Sequence, residues 1–349
     1  MSQGVRSEKR GIANTPSSNP DGRFSSMTRL LITGAAGFLG SELLRQAINT
    51  SIPVRATDCK HLAPVEGVDY HEADILDPNC LRPVIDGVDC VIHCAGLAHI
   101  FRGSKAASAS LTQINEYGTA NVARIASTTG VQHLILVSSV SVYGGAAAGS
   151  DESVVCQPEG AYAESKWRAE QRAVEVSNAT GMKLTILRLA TLYGEGDPGN
   201  VARLMRTIDS RRFIWVGKGS NRKSLLHRED AARACLAAID APPNRINIYN
   251  VSAPHCAMRE VVDLLASALG RPSPRWSIPA SFALHFAALA ARSVGGRGPV
   301  GALDATLRKW LADDFYNSNK FRRELGFQTR VELPDGIRRE VIWYRAHSS

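Results

Sequence analysis

Residues 29–40 read RLLITGAAGFLG, an apolar strand followed by three glycines at intervals of three and the start of a helix. Gly34 permits a tight turn, Gly37 lets an anion approach the backbone, and Gly40 lets the helix pack closely on its strand. The free N–H groups of the first helical turn then face the anion. The spacing predicts a phosphate cradle. A tight strand-to-helix turn without a ligand is the alternative.

The next predicted strand, residues 52–58, ends on an acidic residue, Asp58, at 18 positions beyond Gly40. In a dinucleotide-binding fold, a carboxylate at this place accepts hydrogen bonds from the adenosine ribose hydroxyls. It would repel a 2′-phosphate, which favours NAD over NADP, although Arg55 and Lys60 lie close enough in sequence to soften this preference. An ordinary turn residue at a strand end is the alternative interpretation of Asp58.

Strands alternate with helices over the first half of the chain. Strands are predicted at 90–96, 134–139 and 183–189, a short strand followed by a loop at 70–77, and helices at 38–49, 78–85, 111–129 and 161–179. Most of these strands are almost uniformly apolar, as expected of a parallel sheet covered on both faces. With right-handed crossovers, the pattern predicts an α/β fold with a doubly wound, Rossmann-like sheet and a ligand crevice at the carboxyl ends of its strands.

Helices predominate after residue 190, apart from short strands near 213–216 and 247–251. We therefore expect a disordered N-terminal extension (1–27), an NAD-binding domain (28–190) and a smaller, mostly helical substrate-binding part (191–345). This last part is interleaved with the final elements of the sheet. Residues 1–26 lack the apolar core of a secretory signal.

Three polar residues follow in an order that suggests catalysis. Ser139 ends a predicted strand, and Tyr162 and Lys166 share one face of a helix because they are four residues apart. A nearby ammonium group, or the charged ring of an oxidised nicotinamide, stabilises a phenolate and brings the tyrosine into range as a base. Ser139 would orient the reacting oxygen. A surface tyrosine stacked on a lysine stem is the alternative.

Composition narrows the possible partners and compartment. The formal charge of +8 comes mainly from scattered arginines without interleaved aromatic residues, which favours anionic small molecules over a specific nucleic acid. Seven cysteines without a Cys-x-x-Cys motif indicate buried free thiols in a reducing, cytoplasmic compartment and no zinc site. The longest apolar stretch, Ile278–Ala291, is too short to span a bilayer, so we expect no transmembrane segment but a buried or surface-lying helix.

From Thr28 to about Arg345 the chain resembles the extended short-chain dehydrogenases/reductases, also called the NAD-dependent epimerase/dehydratase family. The motifs that carry the resemblance are TGAAGFLG (33–40), ADILD (73–77), HCAG (93–96), NEYGT (115–119), SSVSVYG (138–144), YAESK (162–166), LRLATLYG (187–194) and LHREDAA (226–232).

The resemblance implies roles for individual residues. Ser139, Tyr162 and Lys166 would be the catalytic trio, with no metal ion. The cofactor, NAD, would contact Gly34, Gly37, Phe38, Leu39, Gly40, Asp58, Asp74, Ile75, Ala95, Gly96, Asn115, Tyr162 and Lys166. Asp74 and Ile75 would hold the adenine, and Asn115 would be a structural asparagine behind the site.

The later half resembles nucleotide-sugar enzymes. The substrate would contact Thr191, Asn200 and one of Arg222 and Lys223, although Asn200 as a helix cap and Arg222 and Lys223 as a solvated turn are alternatives. UDP-galactose epimerases carry arginine where Lys223 falls. Lysine binds phosphate as a point charge and lacks the planar guanidinium, which can make two parallel hydrogen bonds. Sugar 4,6-dehydratases carry an acid pair beside the active serine or threonine. Here Val140 and Ser141 stand there, which disfavours dehydration.

The expected function is therefore NAD(H)-dependent oxidoreduction or epimerisation at carbon 4 of a nucleotide-activated sugar, with a UDP-hexose as the expected partner. Epimerase and 4-ketoreductase both remain open. Two alternatives are a hydroxysteroid-type or other hydrophobic-alcohol dehydrogenase, in which 281–291 lines the substrate site or touches a membrane, and a non-catalytic NAD-sensing or RNA-binding relative. Relatives often dimerise through the helices corresponding to 111–129 and 161–179, so a homodimer is expected.

Overall fold

A seven-stranded parallel sheet runs through the computed structural model, which describes residues 29–98, 105–145, 148–293 and 303–347. In spatial order its strands are β11 (Ile246–Val251), β6 (Lys183–Leu189), β5 (His133–Ser139), β4 (Cys90–His93), β1 (Leu30–Thr33), β2 (Val54–Asp58) and β3 (Val68–Glu72). The strand order reverses between β1 and β4, which opens a ligand crevice at their carboxyl ends. The predicted extension, 1–27, lies outside the described residues.

Helices cover both faces of the sheet, and β1 shows why its residues are all apolar. Leu30 and Ile32 pack against one core, and Leu31, between them, packs against the other. The first core lies under α1 (Phe38–Ala47), α7 (Arg228–Ala237) and α11 (Asn319–Leu325), and the second under α2 (Pro78–Ile85), α4 (Thr119–Thr128) and α5 (Ala161–Thr180). The doubly wound, Rossmann-like prediction is confirmed.

One predicted helix differs from the structure. The helix expected at 111–129 is divided into α3 (Lys105–Leu111), a π-helical segment at Thr112–Gly118, and α4. The third strand, β3, ends at Glu72, and residues 73–77 form the loop that was predicted to follow it. The carboxylate of Asp77 accepts a hydrogen bond from the backbone N–H of Asn79 at 2.9 Å, so this loop caps α2.

The C-terminal part is mostly helical. A third core, which includes Trp215, lies among α6 (Asn200–Asp209), α8 (Met258–Ala268) and α12 (Leu333–His347), while α9 (Ala280–Ser293) and α10 (Leu303–Leu311) pack on each other. The short strands pair as β7 (Thr191–Tyr193) with β10 (Leu225–His227), β9 (Arg222–Lys223) with β12 (Cys256–Ala257), and β8 (Trp215–Val216) with β13 (Ser277–Ile278). Because α7 and β11 return to the large sheet, this part is interleaved with it. The domain limits remain a prediction.

The cysteines and the apolar stretch can now be assigned. All seven cysteines are free thiols, and Cys90 and Cys235 are buried as expected, but Cys59 is exposed. The prediction was wrong for Cys59 because it follows the last residue of β2, where the chain leaves the sheet. In the described part of the chain, no helix has both the length and the apolarity needed to cross a membrane.

Candidate active site

The glycine turn forms a tight concave backbone between β1 and α1. Gly34 has a φ of +72°, and a Cβ there would lie 2.5 Å from the backbone nitrogen of Ala95. A Cβ on Gly40 would overlap the carbonyl oxygen of Gly34, which accepts a hydrogen bond from the N–H of Gly37 at 3.0 Å. The N-cap residue of α1 is Gly37, which has no side chain to cap the helix, so the N–H groups of the first turn can face an anion. The turn therefore fits a dinucleotide diphosphate.

Asp58 lies beside this turn. One carboxylate oxygen accepts a hydrogen bond from the N–H of Ala36 at 3.0 Å, and the other accepts one from the N–H of Lys60 at 3.1 Å. These bonds orient a partly exposed carboxylate next to the phosphate cradle, where a ribose would lie. The guanidinium of Arg55 pairs with Asp69 at 2.8 Å. It therefore does not offset the negative charge of Asp58.

The candidate adenine residues lie on the loop after β3. A carboxylate oxygen of Asp74 accepts a hydrogen bond from the N–H of Leu76 at 2.9 Å. The side chain of Ile75 is buried and lies against Gly118, where a Cβ would overlap it. The π-helical segment and this loop are therefore closely packed.

Asn115, in the π-helical segment, connects two parts of the site. Its amide oxygen accepts a hydrogen bond from the N–H of Leu97 at 2.8 Å, and its amide nitrogen donates to the carbonyl of Leu97 and to the hydroxyl of Ser165, at 3.0 and 2.9 Å. Ser165 in turn donates to the carbonyl of Tyr162 at 2.8 Å. The segment after β4, which contains Ala95 and Gly96, is thus tied to the helix that carries the tyrosine. π-Helical turns frequently occur at functional sites.

Ser139, Tyr162 and Lys166 meet at the carboxyl end of β5. Burial raises the pKa of the Tyr162 phenol, and a hydrogen bond from Ser139 counteracts this by stabilising the phenolate. The buried ammonium group of Lys166 donates to the carbonyl of Val137 at 2.6 Å. Burial lowers the pKa of Lys166 to about 8, against the opposing effect of Glu170. The lysine therefore places a positive charge at the strand end that carries Ser139.

A buried ion pair that was not predicted from the sequence lies next to the trio. Glu170 and Arg188 lie 2.7 Å apart, and both side chains are almost fully buried. The hydroxyl of Ser138 donates to Glu170 at 2.5 Å, and Arg188 donates to the hydroxyl of Tyr143 at 2.9 Å. One signal was available, because Glu170 is four residues after Lys166 and so lies on the same face of α5.

A buried histidine lies between β1 and α4. The ring of His93 makes hydrogen bonds with the hydroxyls of Thr33 and Thr119, at 2.7 and 3.1 Å. Burial, aided by the charge of Lys166, lowers the pKa of His93 to about 3, so the ring is neutral. His93 therefore adds no positive charge beside Lys166. Its place at the end of an apolar strand, within the HCAG motif, was the only sequence signal.

The candidate substrate-binding residues are spread over three elements: β7, α6 and β9. Thr191 begins β7 and pairs in register with Leu225, two residues after Lys223. Asn200 is the exposed first residue of α6, and its amide oxygen accepts a hydrogen bond from Arg203 at 2.6 Å. The helix N-terminus is capped instead by Asp197, which accepts from the N–H groups of Gly199 and Ala202 at 2.6 and 3.0 Å.

Arg222 and Lys223, on β9, face the chain that follows α10. The guanidinium of Arg222 is about half exposed, pairs with Asp313 at 2.7 Å and lies 4.1 Å from the ring centroid of Phe315. Lys223 donates to the carbonyls of Lys309 and Ala312, at 3.2 and 3.0 Å, and burial lowers its pKa. The lysine therefore neutralises the carboxyl end of α10.

Known proteins resemble this chain over most of its length. A model of the NAD dependent epimerase/dehydratase family matches residues 30–252. The chain is 26% identical to N-acetyl-alpha-D-glucosaminyl-diphospho-ditrans,octacis-undecaprenol 4-epimerase of Escherichia coli O157:H7, over 91% of this chain and 96% of that protein. It is 28% identical to UDP-glucose 4-epimerase of Vibrio cholerae, over 72% and 78% of the two chains.

A solved structure shares the fold. UDP-glucuronic acid 4-epimerase from Bacillus cereus, in complex with NAD, superposes with a TM-score of 0.72 at 19% identity, covering 91% of this chain and 99% of that one. The family match spans well over half of the chain, and its NAD dependence confirms the cofactor predicted from the glycine turn and Asp58. The chain belongs to the NAD-dependent epimerase/dehydratase family.

Proposed function

We propose that this protein catalyses NAD(H)-dependent oxidoreduction or epimerisation at carbon 4 of a UDP-linked hexose. The observation that carries the proposal is the meeting of Ser139, Tyr162 and Lys166 at the same sheet edge as the glycine turn. Two curated relatives are named as 4-epimerases of glycosyl diphosphates, one of them of UDP-glucose. These names support a diphosphate-linked sugar as the substrate class.

Each member of the trio has one task in this proposal. The phenolate of Tyr162 removes the proton from the hydroxyl on carbon 4 and returns it in the reverse direction. The hydroxyl of Ser139 hydrogen-bonds to the reacting oxygen, and the charge of Lys166 lowers the free energy of the phenolate. Bound NAD supplies the hydride chemistry at the same carbon.

Epimerisation or reduction is favoured over dehydration by the two residues after Ser139. Val140 is buried, and the backbone N–H of Ser141 donates to the hydroxyl of Ser139 at 3.2 Å. Neither position offers the acid that assists loss of water from carbon 6 in related dehydratases. A ketone formed at carbon 4 would then be reduced again without elimination.

We assign the substrate diphosphate to Arg222 in preference to Lys223. The guanidinium of Arg222 is exposed and has five N–H donors. Asp313 alone cannot accept from all of them, so some remain for a phosphate. The ammonium group of Lys223 already bonds two carbonyl oxygens, that of Lys309 in the last turn of α10 and that of Ala312 just after it. Thr191 and Asn200 would complete the contacts of the sugar and the diphosphate.

A screen of UDP-, dTDP- and GDP-sugars with the purified full chain tests the proposal. We expect a UDP-hexose to react, with sugar stereochemistry followed by NMR and NADH by its absorbance. Inverted carbon 4 with non-exchangeable, co-purified NAD identifies an epimerase, while steady NADH consumption on a 4-keto sugar identifies a reductase. Turnover of a hydroxysteroid but of no sugar nucleotide would contradict the proposal and favour the hydrophobic-alcohol alternative.

Replacing the proposed base gives a sharper test. We expect Tyr162→Phe to lower kcat by about 10²- to 10⁴-fold, because the ring remains but the proton acceptor is lost. Tyr117→Phe is the matched control, since Tyr117 is exposed and lies in the neighbouring π-helical segment. Unchanged turnover in Tyr162→Phe would refute the role assigned to Tyr162.

A further inference from the structure

Helix α9 carries an exposed apolar face. Phe282, Phe286 and Leu289 are each more than half exposed, and they lie within about 60° of one another around the helix axis. The rings of Phe282 and Phe286 contact each other, with centroids 4.5 Å apart. Ala287 is buried, and α9 packs on α10. The helix is therefore apolar on its covered side and also on the side that faces solvent.

The ribbon of β8 and β13, whose second strand directly precedes α9 in the chain, also carries exposed apolar side chains. Trp276 is 83% exposed, and its carbonyl accepts a hydrogen bond from the N–H of Trp215 at 2.9 Å. The parallel register of the ribbon places the exposed side chain of Ile214 beside Trp276. We call Ile214, Trp276, Phe282, Phe286 and Leu289 the apolar face. The surface of a soluble protein usually carries single, scattered apolar side chains, and this group of five exceeds that pattern.

The charged residues that neighbour the apolar face in sequence are all basic. Residues 270–303 contain no aspartate or glutamate, nor do residues 210–228, while both segments contain several arginines. Arg211, Arg212 and Arg275 are exposed at the ends of the β8–β13 ribbon. A second copy of this chain would bring the same positive border against itself, so charge disfavours a dimer through this face.

We propose that the apolar face docks on the surface of a bilayer that contains anionic lipids. Aromatic and leucine side chains would enter the boundary between headgroups and acyl chains, and the arginines would contact the phosphates. Helix α9 has 14 residues, which suits a helix lying in the interface and not one crossing the membrane. This proposal does not depend on the proposed reaction.

Vesicle flotation with the full chain tests the proposal. We expect the protein to float with vesicles of equal parts phosphatidylcholine and phosphatidylglycerol, and at least about tenfold less with phosphatidylcholine alone. Binding to the anionic vesicles should weaken as salt is raised, because exposed charges are screened. Equal flotation with both vesicle types, or none with either, would overturn the proposal.

Paired variants locate the binding surface. Phe286→Ser/Leu289→Ser should lower binding to the anionic vesicles at least about tenfold, since two apolar side chains that would enter the bilayer boundary are lost. Ile342→Ser is the control, because Ile342 is 63% exposed on α12. Arg275→Glu should also weaken binding without removing an apolar side chain. Thermal melting checks that every variant is folded.

Two outcomes of the variant experiment would contradict the proposal. One is that Phe286→Ser/Leu289→Ser and Arg275→Glu both bind the vesicles as the wild type does. The other is that the wild type is a dimer by analytical ultracentrifugation and Phe286→Ser/Leu289→Ser makes it monomeric. That result would identify a second copy of the chain as the occupant of the apolar face.

Discussion

Lys166 is a buried lysine whose charge has a role in the proposed mechanism. Its ammonium group bonds the carbonyl of Val137, and burial lowers its pKa to about 8. The group is therefore charged below this pH and neutral above it. In the proposed mechanism this charge stabilises the phenolate of Tyr162, so loss of the proton from Lys166 should raise the pKa of Tyr162 and reduce the fraction of phenolate.

We expect kcat/KM to fall as the pH rises above about 8, since this ratio reports ionisations of the free enzyme. In Lys166→Arg the overall activity should be lower, but this decline should disappear because arginine keeps its charge. Lys183→Arg is the control: Lys183 is also partly buried with a lowered pKa, yet it bonds the carbonyl of Ala241 away from the trio. A pH profile unchanged in Lys166→Arg would contradict the assigned role.

At the scale of elements, the turn between β1 and α1 depends on the absence of side chains. The Cβ of any other residue at position 40 would overlap the carbonyl of Gly34, and that carbonyl already holds the N–H of Gly37. The overlapping atoms are backbone, which cannot rotate away. The turn and the N-terminus of α1 must therefore shift together.

We expect Gly40→Ala to lower the free energy of unfolding by about 1–3 kcal/mol, as overpacking does elsewhere, and to weaken NAD binding. Urea unfolding and calorimetric titration with NAD measure the two effects. Asn49→Ala is the control, because Asn49 is exposed just beyond α1. If Gly40→Ala matched the wild type in both measurements, the close packing of turn and helix would not be needed for cofactor binding.

At the scale of the whole molecule, the buried pair of Glu170 and Arg188 joins α5 to β6. Arg188 also lies 4.9 Å from the ring centroid of Tyr143, and the hydroxyl of Tyr143 bonds Asn250 on β11. Ser138 of β5 also bonds Glu170, so the network holds α5, which carries Tyr162 and Lys166, against three strands of the sheet.

We expect Arg188→Met to lower the free energy of unfolding by about 3–5 kcal/mol, because it leaves Glu170 buried without its partner. The double variant Glu170→Gln/Arg188→Met should recover much of this loss, since no unpaired charge remains. Arg338→Met is the control at an exposed pair with Asp335, where little change is expected. A double variant that is as unstable as Arg188→Met alone would contradict this explanation.

Short-range patterns determined the fold class and the centre of the site. The sequence alone predicts three features: the three glycines within seven residues, the acid at the next strand end, and the Tyr-x-x-x-Lys on one helix face. Each of them depends on one element or on consecutive elements of a βαβ unit. The family and its NAD dependence followed from these motifs and are confirmed. The roles of individual site residues and the homodimer stay predictions.

Tertiary structure decided what depends on contacts between distant segments. Lys223 bonds carbonyls 86 and 89 positions away, Arg55 turns to Asp69 on the neighbouring strand, and β11 joins the sheet from beyond the substrate-binding part. Whether α9 is buried or lies at the surface depended likewise on where its neighbours pack. Periodicity reports which residues share a face of one element. Only the packed chain decides which faces are covered and which charges are already paired.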